Sequence, residues 1–329
     1  MQYKVSIKRK CYLLSVLLMT VWLTGCVQEE FESTPSPAGN GIRFTLTVPD
    51  VNLPSVSSRT MTGTGTAKKE DEIETVDILV FDMSKTPAVF LEWVSATGVT
   101  QDLADNSTVS FSAVLSPTTA STCIVVVANK ELDNIVSGFT KGATTKVEAM
   151  EKMLHTQTGK WLADGSTTGG YTRIPMYGEK VISKITPSMN PITEINMKRM
   201  LARIDIRNNS ATSNFTVEEV YLANHNTTGY IAPAWNTNGQ VTDPVPDTPV
   251  LPAGSGKMTE EGDVIRYSVN GNTPYDGEIY TFESLAAEDA GGAGADGEAS
   301  RKDATCLIVK GRIGTGESTF YRVDFTKNG

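Results

Sequence analysis

Apolar and polar residues alternate in several short stretches of this chain, and the first such stretch is Gly41–Val48. Within it every second residue is apolar, and the residues between are threonines and one arginine. Alternation of this kind is typical of a strand with one buried face. The sequence therefore predicts a first strand at 41–48, whose buried side chains are Ile42, Phe44, Leu46 and Val48.

Further apolar stretches lie between segments rich in Gly, Pro, Ser and Asn, which predicts an all-β chain. Two of them, Glu74–Phe81 and Thr122–Ala128, are apolar on both faces and are expected in the centre of a sandwich. The other segments predicted to be extended are Phe90–Val94, Thr108–Leu115, Ile174–Gly178 and Asn196–Ile206. The arginines of the last segment also fit helical spacing, but its apolar residues repeat every second position and favour a strand.

One short helix is predicted near Lys146–His155 in the first half of the chain. Thr145 and Glu148 have the spacing of a capping box, in which each side chain binds the backbone amide of the other residue. The apolar residues at helical spacing are Val147, Met150 and Leu154. His155 would close this helix, where a protonated imidazole is mildly favoured.

Two pairs of similar segments suggest two β domains of related topology. Thr216–Asn224 resembles Ile73–Phe81, and Ala304–Val309 resembles Ser121–Val126, in the same order along the chain. Coincidence among residues that favour strands is the alternative explanation.

Polar segments divide the chain further. The segment 50–69 is predicted to be an exposed loop after the first strand. Asn208–Asn214 is the predicted domain boundary, which gives an N-terminal β-sandwich domain at 41–207 and a C-terminal one at 214–329.

The beginning of the chain has the layout of an exported lipoprotein precursor. Basic residues precede an apolar run, 11–23, which is shorter than the roughly 20 residues of a membrane span. The run ends in the lipobox Leu23-Thr24-Gly25-Cys26, whose cysteine is the expected lipid acceptor. We therefore predict a signal peptide at 1–25 and a lipidated tether at 26–40. The alternative is an ordinary signal peptide with an incidental cysteine.

The net charge limits the classes of binding partner, and the positions of the cysteines indicate whether a disulfide forms. Removal of residues 1–25 takes away four positive charges and changes the formal net charge from −9 to −13. Nucleic acid and anionic lipid would be repelled by so acidic a chain. Cys123 and Cys306 each lie in an apolar run and are predicted to be buried free thiols rather than a disulfide.

The sequence indicates a protein without catalysis, cofactor or metal. It contains only two histidines, His155 and His225, and neither has a second ligand at metal-binding spacing. Gly292–Gly297 matches the letters of a dinucleotide-binding fingerprint. That fingerprint acts only between a strand and a helix start, however, and here it follows an acidic segment and precedes another strand.

Motifs in a fixed order give the chain a resemblance to the major fimbrillin-type pilins of Bacteroidales type V pili. In chain order they are the lipobox, the strand Ile42–Val48, Ser58-Arg59-Thr60, the Leu-Val-Phe-Asp ending of Glu74–Asp82, Val-Val-Val-Ala-Asn in Cys123–Asn129, Ile174–Gly178, Lys-Arg-Met-Leu-Ala-Arg in Met197–Ile206, Tyr280–Ser284 and Cys306–Gly311.

This resemblance implies two transthyretin-like β-sandwich domains and assembly at the cell surface. It implies that Cys26 carries the lipid and that a trypsin-like, arginine-specific protease cuts after Arg59, which leaves Thr60 as the new N-terminus. The first strand, with Ile42, Phe44, Leu46 and Val48, would then be expelled, and a strand of another pilin subunit would fill the groove. Weaker candidates for the cut are Arg43, Lys68 and Lys69.

The resemblance also implies an outer-membrane lipoprotein that becomes part of a fimbrium. Family members continue beyond the position of Gly329 with strands that include the donor strand, so we expect the C-terminal domain to be incomplete and self-polymerisation to fail. One alternative is a tip or anchor adhesin that keeps its lipid. Another is a glycan-binding surface lipoprotein, for which the available aromatic residues are Trp161, Tyr171, Tyr230 and Trp235.

Overall fold

The computed structural model describes residues 42–48, 70–101, 108–162, 172–206, 208, 214–241, 249–253, 264–268, 275–287 and 304–326. These residues form mostly β-strands, which confirms the all-β prediction, together with two short helices, α1 (Asp133–Val136) and α2 (Lys146–Lys152). The strands are β1 Ile42–Thr47, β2 Val76–Asp82, β3 Val89–Ser95, β4 Thr97–Gln101, β5 Thr108–Ala113, β6 Thr122–Ala128, β7 Leu154–Thr156, β8 Met176–Ile182, β9 Ile192–Asn196, β10 Lys198–Arg199, β11 Leu201–Ile206, β12 Phe215–Ala223, β13 Thr228–Tyr230, β14 Ile265–Ser268, β15 Tyr275–Phe282, β16 Cys306–Ile313 and β17 Thr319–Asp324.

Two sheets in the first half of the chain enclose the first apolar core. One sheet has the strand order β4-β5-β1-β9 and the other has the order β10-β8-β6-β2-β3. Their facing side chains are buried and form one continuous cluster. Since β2 and β6 are apolar on both faces, they can lie in the middle of the five-stranded sheet, as the sequence predicts.

The other face of the five-stranded sheet carries a second core, to which the helices contribute. The predicted capping box begins α2: Glu148 donates its amide to Thr145 Oγ1 at 3.2 Å, and Thr145 donates its amide to Glu148 Oε2 at 2.8 Å. The helix ends at Lys152, so its predicted extension to His155 is wrong. Leu154–Thr156 leaves the helix because it pairs with β13 as strand β7.

The other short helix, α1, is not predicted by the sequence analysis. It is a single turn of four residues, too short to show a hydrophobic period. Neither described helix is long and apolar enough to cross a membrane.

A third core lies between the sheets of the second half, which have the strand orders β11-β15 and β14-β12-β16-β17. The similar segments seen in the sequence occupy corresponding strands, because β2 pairs antiparallel with β6 and β12 pairs antiparallel with β16. At the sheet edge, β17 leaves the side chains of Phe320, Tyr321 and Val323 exposed.

The described residues all fall within one compact unit, so the division at Asn208–Asn214 stays a prediction.

The segment Asn196–Ile206 is extended, as predicted, but it contributes strands to two different sheets. Its first part, β10, pairs with β8, and after a bend at Met200 its second part, β11, pairs with β15.

Candidate functional site

The first strand, β1, is an inner strand of the four-stranded sheet β4-β5-β1-β9, which covers one side of the first apolar core. Every side chain predicted to be buried in β1 and the residue after it is buried: the exposed fractions are 4% for Ile42, 1% for Phe44, 0% for Leu46 and 1% for Val48. The side chains between them point outward and are half-buried or exposed. The alternation in the sequence therefore predicts correctly which face of β1 is buried.

Both edges of β1 are hydrogen-bonded to neighbouring strands. On one side it runs antiparallel to β5, where Phe44 lies opposite Phe111 and the two rings stack at 5.0 Å between centroids. On the other side it runs parallel to β9, and beyond that strand Met197 donates its amide to the Thr47 carbonyl at 2.9 Å. A segment paired on two edges and buried on one face behaves as an integral strand of the sheet.

The gross apolar gain of this strand follows from its buried side chains. At about 1.5–3 kcal/mol for each fully buried large apolar side chain, four of them contribute about 6–12 kcal/mol. The groove beneath them is floored by the five-stranded sheet, whose facing residues include Ile78, Val80, Ile124 and Val126. Without β1, these apolar side chains and the backbone groups of β5 and β9 that pair with β1 would be exposed to water.

An acidic segment, Glu70–Glu74, lies at the start of the next described stretch and leads into β2. The Glu70 carboxylate accepts two hydrogen bonds from Arg203 Nη1, at 3.0 and 2.8 Å, and one from the Tyr280 hydroxyl at 2.5 Å. Asp71 forms an ion pair with Arg199. Burial, followed by the hydrogen bond to Glu70, raises the pKa of Tyr280 far above its ordinary value, so this hydroxyl stays a donor.

The same segment is also held from the side of the N-terminal sandwich. Gln101 donates to the Asp71 carbonyl at 2.7 Å, and Asn129 donates to the Glu72 carbonyl at 2.8 Å. The Arg173 guanidinium lies 2.6 Å from the Glu74 carboxylate. Asn129 has a positive φ of 58°, a conformation in which Asn is enriched among non-glycine residues, and this places its amide across the segment.

A second charged cluster is buried in the core beside α2. The side chain of Lys146 is 1% exposed, and its ammonium lies 2.6 Å from Glu179 Oε2. Tyr177 donates its hydroxyl to the same oxygen at 2.5 Å. Burial raises the pKa of the nearby Cys123 thiol to about 12, so this thiol is protonated and is a poor nucleophile at neutral pH.

The cysteine and histidine predictions have different outcomes. Cys123 and Cys306 are buried and free, as predicted. The expectation of a protonated His155 is wrong: burial, with the nearby Lys130 as a second cause, lowers its pKa to about 4. Among the described residues, no three His, Cys, Asp or Glu side chains are grouped as metal ligands.

The aromatic residues suggested for a glycan platform are not arranged as one. Trp161 is buried and donates its indole N–H to the Thr172 carbonyl at 2.9 Å. Tyr230 and Trp235 are half-buried and pack edge to face, with ring centroids 4.9 Å apart. Sugar stacking requires an exposed ring face, and the buried Trp161 does not offer one.

Several residues singled out in the sequence lie outside the described residues. They are Cys26 and the tether 26–40, the loop 50–69 with Arg59 and Thr60, Tyr171 and Gly292–Gly297. The lipidation site and the processing site therefore stay predictions.

Comparison with known proteins supports the resemblance read from the motifs. Residues 42–199, which span β1 to β10, match the family described as major fimbrial subunit protein (FimA). This match confirms the resemblance to fimbrillin-type pilins, and such a family implies a structural protein rather than an enzyme. No curated protein matches the chain.

Three solved structures are among those that the chain resembles. The tip fimbrial protein Mfa3 of Porphyromonas gingivalis is 15% identical with a TM-score of 0.43, over 86% of this chain and 81% of that one. A protein of Parabacteroides distasonis described as a cell adhesion protein is 14% identical with a TM-score of 0.42, over 86% and 80%. A fimbrial assembly protein of the same organism is 12% identical with a TM-score of 0.40, over 87% of each chain.

Proposed function

From the match of residues 42–199 to the major fimbrial subunit family, we propose that this protein is a structural subunit of a pilus. It is exported as a lipoprotein precursor and assembled at the cell surface by strand exchange that a protease triggers. The observation that carries this proposal is the position of β1. This strand is buried and paired on both edges, and the segment 49–69 that follows it contains Arg59.

Lipidation at Cys26 would hold the precursor at the outer membrane. Each buried methylene of an acyl chain contributes about 0.8 kcal/mol, so two or more chains give stable anchoring. A Cys26→Ser variant should then lose both palmitate labelling and partition into detergent. A variant that keeps both would disprove the lipobox assignment.

Cleavage after Arg59 would convert an intramolecular strand into a replaceable one. While the chain is continuous, β1 is tethered to the groove at a high effective concentration, and a competing strand cannot displace it. Once the tether is cut, a strand of another subunit can recover the same apolar contacts and edge hydrogen bonds. The retained part of the subunit would begin at Thr60.

Two substitutions at one position test the processing step and the type of protease. Arg59→Ala should leave the full-length lipoprotein at the surface without assembled fibres. Arg59→Lys should also block processing in cells if the protease is specific for arginine, whereas purified trypsin should still cut this variant. Normal assembly of Arg59→Ala would refute the proposed mechanism.

A further inference from the structure

Strand β9 forms one wall of the groove and depends on β1 for its place in the sheet. Among the described strands, β9 pairs only with β1 in that sheet. The departure of β1, which the proposed function requires, would therefore remove its ladder hydrogen bonds. Lys180 on β8 still donates to the Thr193 carbonyl at 2.6 Å near the start of β9. The far end of β9 needs a separate attachment if the groove is to keep its width.

The chain beyond β9 supplies that attachment through the pairing of β10 with β8 and through two arginines. Arg199 lies on β10 and Arg203 on β11, directly after β9 along the chain. Arg203 binds both oxygens of Glu70, which is 5% exposed, and Arg199 pairs with Asp71. Charge-assisted hydrogen bonds are shorter and roughly twice as strong as neutral ones, so these contacts hold the two backbone segments together.

The acidic partners are in turn fixed to parts of the protein that do not include β1. Gln101 at the end of β4 and Asn129 after β6 hold the backbone of Glu70–Glu74, and Arg173 holds its last carboxylate. In the sequence this segment begins ten residues after Thr60, so a cut after Arg59 leaves it on the retained part of the chain.

We propose that Glu70, Asp71, Arg199 and Arg203 form a clamp that holds the end of β9 in place after β1 has left. The emptied groove thereby keeps the spacing that an incoming strand needs. This inference rests on the proposed strand exchange, and it assigns Arg199 and Arg203 as positioning residues for the groove.

Hydrogen–deuterium exchange of the full chain, before and after removal of β1, tests the clamp. The variant carries Arg199→Gln and Arg203→Gln, and the control is Arg322→Gln, which removes an ion pair to Asp324 on β17, away from β9 and from the acidic segment. In the strand-free form, we expect β9 amides of the double variant to exchange at least about tenfold faster than in wild type, because charge-assisted hydrogen bonds have been lost. Exchange in β6 should not change, and the control should behave like wild type.

Two outcomes would overturn the clamp. One is unchanged β9 exchange in the strand-free double variant. The other is a rise in both β9 and β6 exchange already in the uncut precursor, which would indicate a general structural role. If wild-type β1 stays in the groove after the cut even with a large excess of a competing strand peptide, the proposed function fails instead. The clamp is then measured with Leu46→Asp, whose buried carboxylate prevents the cut strand from staying in the groove.

Discussion

A peptide spanning residues 40–50 should bind the groove of the cut protein, and its affinity should depend mainly on the side chain at Phe44. This side chain is 1% exposed and stacks on Phe111 at 5.0 Å. Replacing a buried Phe with Ala costs about 3–5 kcal/mol. Since about 1.4 kcal/mol corresponds to a tenfold change in affinity, the Phe44→Ala peptide should bind roughly a hundredfold to a few thousandfold more weakly.

The assay displaces β1 from cut wild-type protein with labelled peptide and follows fluorescence anisotropy. Because every peptide meets the same wild-type groove, misfolding of a protein variant cannot explain a difference. The matched control is a Thr47→Ala peptide, since Thr47 is exposed in β1. A surface substitution changes the free energy by about 0.5 kcal/mol or less, which is about twofold in affinity. Equal binding of the Phe44→Ala and Thr47→Ala peptides would refute the assignment of this groove as the strand-binding site.

Two further predictions concern stability. The folded pKa of His155, about 4, is below its unfolded value of 6.5, so its neutral form stabilises the fold above pH 6.5, and that contribution is lost as the pH falls toward 4. The melting temperature of wild type should therefore fall more between pH 7 and pH 5 than that of His155→Gln, and identical pH dependence would contradict this. Glu179→Ala leaves the buried Lys146 ammonium without its carboxylate and should cost about 3–5 kcal/mol in chemical denaturation, and a loss below about 1 kcal/mol would show that the pair is not coupled in this way.

Local patterns in the sequence predict the strand–groove unit well. The period of two at Ile42–Val48 identifies the inner face of β1, because a half-buried strand must alternate. The continuous apolar run Thr122–Ala128 predicts a strand buried on both faces, and β6 is one. The capping box at Thr145 predicts where α2 begins, since its two hydrogen bonds are local.

Features that depend on distant partners are not visible in such patterns. The clamp joins Glu70 to Arg203, and Tyr280 donates to the same carboxylate; both partners lie far from Glu70 in sequence, and alternation cannot show which carboxylate an arginine meets. The acidic run before β2, together with arginines spaced along a later strand, is the only local signal for it. For the same reason, the sequence does not show that Asn196–Ile206 bends at Met200 and passes from one sheet to another.

Locking β1 into the sheet by a disulfide tests most directly whether its release drives assembly. Thr45 and Ser110 are directly opposite partners on β1 and β5, and their outward-facing positions suit a cross-strand pair of cysteines. The control pair is Lys310→Cys with Phe320→Cys, which are opposite partners on β16 and β17, away from the groove.

In cells that supply the other pilin subunits, the Thr45→Cys/Ser110→Cys protein should be cut after Arg59 but enter no fibres until a reducing agent opens the disulfide. The control pair should assemble with or without reduction. Fibres that form from the locked and cut protein without reduction, and that retain residues 42–48, would contradict the account.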